Sequence, residues 1–243
     1  MMRISETVKH LIIINVIMFV GTQFIGNGIL FFDLFAMHFP KNDAFQLWQV
    51  ITHMFMHGGF QHLFFNMLML YFFGSMLEST IGRNKFLFIY ISAGLGALLL
   101  QMGEQYIRYM IMERQALEFG YNSAQVIEVF KEGKVFTDIG QEFNIIYSTV
   151  TFGASGAVMG VLAACAFKFP NAEIMLLFPP IPIKLKYLAV GMIGADLISE
   201  ILTGTPLMAN SNVGYLAHVG GAITEFLIMY YWKKRQFNNN RWN

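Results

Sequence analysis

Long apolar stretches, each close to the length of a membrane-spanning helix, constrain the fold of this chain most strongly. Six of them, 17 to 23 residues long, hold few or no charged side chains: Leu11–Phe32, Phe60–Leu77, Phe86–Gly103, Ile145–Phe167, Tyr187–Thr203 and Asn212–Trp232. A helix of about 20 residues crosses a hydrocarbon core of roughly 30 Å. Because backbone polar groups in lipid must be satisfied within the segment, helices fit runs of this length. The sequence therefore predicts an all-α membrane protein, a bundle of six transmembrane helices.

The composition agrees with this class and excludes others. Hydrophobic residues make up 56% of the 243 residues and charged residues 13%, whereas soluble domains average roughly 45–50% and 25%. A formal net charge of +1 argues against an electrostatic nucleic-acid binder. The single cysteine, Cys165, excludes an internal disulfide framework, and we interpret it as a small buried residue.

The distribution of basic residues predicts the orientation of the bundle. If both termini are cytoplasmic, eleven of the 16 lysines and arginines lie in inner segments and five in outer ones. The positive-inside rule favours that arrangement, so we expect cytoplasmic N- and C-termini. The first run is too long for the apolar core of a signal peptide and no small-residue cleavage site follows it, so we expect a retained helix.

We interpret residues 1–243 as a single membrane domain with an extracytoplasmic insertion at about residues 104–144, between helices 3 and 4. The insertion holds seven acidic and four basic residues. Asn122 and Gln125 have the spacing of a capping box, and Gly133 marks a helix end, so one or two short helices are expected. A lid or docking surface is one hypothesis for this segment, and a solvated loop without a role is the other.

Two polar side chains fall at similar depth in apolar helices that start at the outer face. Ser155 follows the start of helix 4 by about eight to ten residues, and His218 lies five to seven residues into helix 6. Ionisable and nucleophilic groups inside a membrane span predict function. A serine with a histidine at matching depth is typical of a nucleophile and its base. A serine among glycines also fits helix packing, and a lone histidine also fits a structural role or a proton relay.

Small residues on the same two helices could bring these side chains together. Gly156 and Gly160 follow Ser155, and Ala217 and Gly221 flank His218. Small side chains one turn apart let two membrane helices approach closely. We therefore predict close contact between helix 4 and helix 6.

A third polar group lies near the outer end of helix 2. His62 and Asn66, four residues apart, share one helix face. Both donate hydrogen bonds, as the donors of an oxyanion hole must in a site of low dielectric constant. A metal site built on His53 and His57 is the alternative, but no carboxylate or cysteine stands nearby and asparagine is a poor transition-metal ligand. The sequence gives no signal for a metal or another cofactor.

These motifs, taken together, resemble the rhomboid family of intramembrane serine proteases over about residues 10–232, apart from the insertion. The matching motifs are His62-x-x-x-Asn66, Gly153-Ala-Ser155-Gly156 and Ala217-His218-x-Gly-Gly221, in the family's order and on the expected helices. The Phe178-Pro179-Pro180 stretch before helix 5 is similar as well. The resemblance implies a six-helix core with a water-filled active site that opens outward.

The resemblance also implies residue roles. Ser155 would be the nucleophile and His218 the general base and acid, while His62, Asn66 and the Ser155 backbone N–H would form the oxyanion hole. The family uses a dyad, so we interpret Asp196 of helix 5 as a polar contact inside the bundle rather than a third catalytic member.

Two positions depart from the family's pattern. Gln49 follows Trp48 where many members carry arginine, and Glu225 replaces a glycine four positions after Gly221. We expect the Glu225 carboxyl to be neutral or hydrogen-bonded at the contact of helices 4 and 6, or to reach water at the inner face, because a bare carboxylate in lipid is costly.

The leading hypothesis is an intramembrane endopeptidase that cleaves single-span membrane proteins near their outer boundary. The resemblance implies a multi-pass protein of the bacterial cytoplasmic membrane whose active site opens to the extracytoplasmic side, with the lipid bilayer and membrane substrates, not nucleic acid, as partners. The alternative is an inactive rhomboid-like protein that binds transmembrane helices without cutting them. A transporter or channel is the third hypothesis, but the polar groups cluster near one face instead of spreading through the membrane.

Overall fold

The computed structural model describes residues 4–137, 140–175, 180–203 and 214–239. Asn212 and the Phe178-Pro179 pair, which the sequence analysis uses, lie outside these ranges. Within these ranges, three helical stretches are long and apolar enough to cross a membrane: Glu6–Phe24, Phe60–Ile81 and Arg83–Glu118. Helices also cover the larger part of the other three predicted spans among the described residues. A mostly helical membrane protein is thus confirmed, while six complete crossings and cytoplasmic termini stay predictions.

The first predicted span is interrupted. Helix α1 (Glu6–Phe24) ends well before Phe32, and a 3₁₀ turn over Gly26–Gly28 leads into the short helix α2 (Ile29–Phe35). Both glycines have positive φ, +67° and +82°, a backbone region that residues with a Cβ rarely adopt. The expectation of one helix over Leu11–Phe32 was therefore wrong, because two glycines turn the chain inside the apolar run.

The outer segment after α2 is ordered by short elements. Strand β1 (Met37–His38) is followed by the one-turn helix α3 (Gln49–Thr52) and a 3₁₀ turn over His53–Phe55. The Gln49 side chain is fully buried among them. Its amide nitrogen donates to the carbonyl oxygens of Asp33 and Ala44, both at 3.1 Å. Gln49, which stands where many members of the family carry arginine, is thus a buried residue whose hydrogen bonds connect the parts of this segment.

The second and third predicted spans form long helices. Helix α4 (Phe60–Met69) continues through a π-helical turn, Leu70–Gly74, into α5 (Ser75–Ile81). Gly82, with φ +84°, then reverses the chain into the 36-residue helix α6 (Arg83–Glu118). Because α6 runs through residue 104 without a break, the start of the insertion is a helical extension and not a loop.

The insertion holds two further helices, as predicted. Helix α7 (Ser123–Lys131) begins with the capping box, in which Asn122 and Gln125 each accept the other's backbone N–H. It ends shortly before Gly133, whose φ is +67°. Helix α8 (Gln141–Ser148) follows.

The insertion packs on the first outer segment instead of being solvated throughout. Buried side chains of the insertion and of the end of α8 join Phe39 of that segment in a second apolar cluster: Tyr109, Ala116, Val126, Phe136, Phe143, Ile146 and Tyr147. Lys41 forms an ion pair with Glu113 at 3.2 Å, and the Asn42 amide donates to the Tyr147 carbonyl at 3.0 Å. The described part of the insertion is therefore a packed unit beside the bundle.

The fourth predicted span also differs from expectation. After α8 the chain is extended, and strand β2 (Val150–Thr151) pairs antiparallel with β1. Helix α9 (Ser155–Lys168) begins only at Ser155. The expectation of a helix over Ile145–Phe167 was wrong at its outer end, because β-branched residues pair with β1 and Gly153, at φ +126°, breaks the helical path.

Helix α9 is the buried centre of the bundle. All of its residues from Gly156 to Cys165 are buried, and the Cys165 thiol donates to the Phe73 carbonyl at 3.2 Å, which confirms the interpretation of this cysteine. A hairpin of β3 (Glu173–Met175) and β4 (Pro182–Lys184) leads to helix α10 (Leu185–Thr203), and helix α11 (Tyr215–Asn239) closes the described chain.

Candidate active site

One cavity of about 1200 Å³ contains all four side chains that the sequence analysis selects: Ser155, His218, His62 and Asn66. Helices α4, α6, α9, α10 and α11 and the extended stretch before α9 line it. The cavity therefore brings together residues that are up to 156 positions apart in the chain.

Ser155 is placed by the loop that precedes it. The Gly153 backbone N–H donates to the His53 carbonyl at 2.9 Å and holds the loop against the first outer segment. A Cβ on Gly153 would lie 3.0 Å from Cε1 of His62 and 3.6 Å from Oγ of Ser155. Glycine thus permits both the positive φ and the close approach of the two side chains.

Ser155 lies at the start of its helix, not inside it as the apolar run had suggested. Ser155 was expected eight to ten residues inside a helix, but it is the first residue of α9. Its backbone N–H is therefore among the first-turn donors that have no intrahelical partner, and it lies at the positive end of the helix dipole. His218 is the fourth residue of α11, so each side chain lies in the first turn of its helix.

Small residues bring α9 and α11 into backbone contact, as predicted. A Cβ on Gly221 would lie 2.0 Å from the Gly156 carbonyl oxygen, and one on Gly156 would lie 3.3 Å from the Ala217 carbonyl oxygen. No side chain larger than hydrogen fits at Gly221 without moving a helix. This contact sets the distance between the helix that carries Ser155 and the one that carries His218.

Asp196 belongs to the site, although the sequence led us to expect only a polar contact inside the bundle. Its Oδ2 lies 2.9 Å from Nδ1 of His218, and both side chains line the cavity. Asp196 does make a polar contact inside the bundle, but the contact is to the predicted general base. A carboxylate within an apolar span was the signal for it.

His62 and Asn66 lie on one face of α4, as the spacing predicts. The Asn66 side chain is 6% exposed, and both side chains line the cavity across from α9. The His57 ring contacts the His62 ring at a centroid separation of 4.9 Å. Burial lowers the pKa of the His53 imidazole to about 4 and that of His57 to about 3, so both are neutral at physiological pH and add no charge beside His62.

Glu225 lies at the contact of α9 and α11, on the inner side of His218. Its side chain is fully buried, and Ser92 of α6 donates a hydrogen bond to its Oε1 at 2.6 Å. A Cβ on Gly160 would lie 2.9 Å from the Glu225 Cγ. The expectation of a hydrogen-bonded carboxyl at this contact is confirmed.

Comparisons with known proteins agree with the fold and the motifs. A family model described as "Rhomboid domain" matches residues 44–235. The chain is 29% identical over 186 residues to rhomboid protease AarA of Providencia stuartii, which covers 74% of this chain and 54% of that protein.

Two further relatives show the range of the similarity. The putative rhomboid protease YdcA of Bacillus subtilis is 23% identical over 185 residues, 75% of this chain and 66% of that protein. The mitochondrial RHOMBOID-like protein 12 of Arabidopsis thaliana is 27% identical over 218 residues, 89% of this chain and 55% of that protein. The chain spans between about half and two thirds of the length of these relatives.

Proposed function

Because this chain belongs to the rhomboid family, we propose that it is an intramembrane serine endopeptidase with Ser155 as nucleophile and His218 as general base and acid. The observation that carries the proposal is the shared cavity of Ser155 and His218, which also contains the amide and imidazole donors of Asn66 and His62. The curated relatives named as rhomboid proteases support the same activity.

The proposed reaction follows from the chemistry of these groups. The Ser155 Oγ attacks the scissile carbonyl carbon while its proton moves to His218, and the carbonyl π electrons move to the oxygen. Collapse of this oxyanion breaks the C–N bond as His218 gives the proton to the leaving amine. A water molecule, activated by His218, then hydrolyses the acyl-enzyme and frees Ser155.

The oxyanion needs donors that are already in place when the charge develops. Asn66, His62 and the Ser155 backbone N–H are the donors in this proposal. The first-turn position of Ser155 leaves its N–H available, and the dipole of α9 favours negative charge at that point. Donors fixed in a cavity shielded from bulk water stabilise such charge more strongly than donors in water do.

The substrates in this proposal are single-span membrane proteins, cut near the outer boundary of the bilayer. A peptide bond must leave its helix to reach Ser155, so glycine or proline near the cleavage site should favour cleavage. We further propose that the protein lies in the bacterial cytoplasmic membrane with its active site open to the extracytoplasmic side, because eleven of its 16 basic residues then fall in inner segments.

Labelling with a fluorophosphonate tests the nucleophile directly. The purified protein should become covalently labelled at Ser155 and should cleave a fluorescent single-span substrate in the same preparation. A protein that binds the substrate peptide but neither cuts it nor reacts with the probe would be the inactive helix-binding member of the family.

Asn66 provides a graded test of the oxyanion hole. Loss of one oxyanion donor typically costs about 10²–10³ in rate, so Asn66→Ala should lower kcat by that factor with a smaller change in KM. Asn84→Ala, at an exposed position on α6, is the matched control and should leave both constants unchanged. If both Asn66→Ala and His62→Ala turned over at the wild-type rate, other groups would stabilise the oxyanion.

We propose that the insertion recognises protein substrates without taking part in the chemistry. Phe143 is fully buried in the second apolar cluster, and its truncation should destabilise that unit by about 3–5 kcal/mol. Phe143→Ala should therefore raise KM or change the cleavage site on protein substrates, while the rate of Ser155 labelling by a small fluorophosphonate stays as in wild type. Phe119→Ala, at a side chain that is 64% exposed, should change neither. Unchanged protein cleavage in a Phe143→Ala sample whose α7–α8 unit had become protease-sensitive would show that the insertion has no role in recognition.

A further inference from the structure

A carboxylate contacts the predicted general base from a third helix. Oδ2 of Asp196, on α10, lies 2.9 Å from Nδ1 of His218, on α11. The two side chains are only 16% and 14% exposed, so bulk water shields their interaction little. An imidazole with a carboxylate at Nδ1 carries its proton on that nitrogen, and its Nε2 is then free to accept another.

We infer that Asp196 is a positioning residue that holds His218 in the tautomer and orientation required to take the Ser155 proton. The inference rests on the proposed function, since it assigns Asp196 a role in that same reaction. In this role Asp196 acts through its contact with His218.

The other ionisable side chains of the cavity are poor candidates for this role. Among the described residues that line it, the ionisable side chains besides Asp196 and His218 are His53 and His62. Asp196 is thus the one carboxylate of the described lining. The His53 Nδ1 is 2.9 Å from the Gln49 carbonyl oxygen, so that ring is held in the first outer segment.

The charge of Asp196 matters most when His218 becomes an imidazolium. At that stage the Ser155 proton is on Nε2, and the positive ring lies against a carboxylate that is only 16% exposed. The carboxylate stabilises the imidazolium and does not take the proton. The same carboxylate lies within a predicted membrane span, where an unpaired charge would be costly, so the pairing also explains how the helix tolerates Asp196.

Three substitutions at Asp196 separate this role from a packing role. Asparagine matches aspartate in size, but its amide can donate to Nδ1 and so favours the tautomer with the proton on Nε2, which cannot accept the Ser155 proton. In a Ser-His-Asp triad this change lowers kcat by about 10⁴. Asp196→Asn should therefore lower kcat by up to about 10⁴ with a small change in KM, and it should be at least as damaging as Asp196→Ala. Asp196→Glu keeps the charge and should restore part of the rate.

Glu200, one turn further along α10 and half-buried, provides the matched control, and Glu200→Gln should leave kcat unchanged. Asp196→Asn should also cause no further loss of Ser155 reactivity in a protein that already carries His218→Ala, because a residue that acts through His218 has no effect without it. This comparison uses the residual fluorophosphonate labelling of Ser155 in His218→Ala and in the double variant.

The outcomes distinguish this inference from the proposed function. If the wild-type protein is labelled at Ser155 and Asp196→Asn has the wild-type kcat, the positioning role is overturned and the proposed dyad stands. A variant that melts at lower temperature but labels normally per folded molecule would also overturn it, since that behaviour belongs to packing. Wild-type protein that never labels at Ser155 would overturn the proposed function, and the role of Asp196 with it.

Discussion

Replacing Ser155 with alanine should abolish cleavage of a transmembrane substrate, and replacing His218 with alanine should do almost the same. In serine proteases, removing the nucleophile or the base alone costs about 10⁶ in kcat, close to the cost of removing the whole catalytic set. The two side chains line one cavity and are carried by helices in backbone contact. We therefore expect the double variant to be no slower than either single variant.

Matched controls make this result specific. Ser79→Ala and His10→Ala remove the same functional groups at exposed positions outside the cavity, and both should cleave at the wild-type rate. The measurement is substrate turnover by the purified proteins, with thermal melting to show that each is folded. Retained turnover in a folded Ser155→Ala sample would exclude the serine-protease mechanism.

The sequence was sufficient to predict the parts of the fold that depend on local pattern. Apolar runs predicted the helices, and the spacing of Asn122 and Gln125 predicted a capping box that the structure contains. Glycine and alanine at one-turn spacing predicted the close contact of α9 and α11, because small residues have few other uses at such positions in a membrane helix.

The pattern of apolar residues could not predict how Ser155 reaches its position. Hydropathy does not distinguish an apolar helix from an apolar extended segment of similar length. Val150 and Thr151 are extended because β2 pairs with β1, more than 100 positions earlier in the chain, and Gly153, at positive φ, keeps the helix from starting before Ser155. A pairing between distant segments leaves no periodic signal in either one.

The contact of Asp196 with His218 was missed for a related reason. The apolar span showed that the carboxylate needed a partner, but the partner lies on another helix, 22 positions away. The rotation of α10 about its axis decides which side chain Asp196 meets. That rotation depends on packing against α9 and α11, and a single sequence does not encode it in any local pattern.

Substitution at Gly221 should have a large effect on activity, although Gly221 is not one of the polar groups of the cavity. A Cβ at this position would lie 2.0 Å from the Gly156 carbonyl oxygen, where about 3 Å is the closest ordinary approach, so α9 and α11 would have to separate by on the order of 1 Å. Displacement of catalytic groups by that distance can cost about 10² in rate, and overpacking costs typically 1–3 kcal/mol. Gly221→Ala should therefore lose at least about 10²-fold in kcat and melt at lower temperature.

Gly103→Ala is the control that isolates this contact, because it makes the same chemical change in helix α6 where a Cβ would have no neighbour within 4 Å. Alanine favours a helix over glycine by roughly 1 kcal/mol, so Gly103→Ala should keep its activity and melt at the same or a higher temperature. The two substitutions should change the melting temperature in opposite directions because the α9 backbone lies opposite Gly221, whereas a Cβ at Gly103 would have no neighbour. A Gly221→Ala protein with wild-type kcat would mean that the bundle adjusts without moving Ser155 relative to His218, and the distance between the two helices would then not control catalysis.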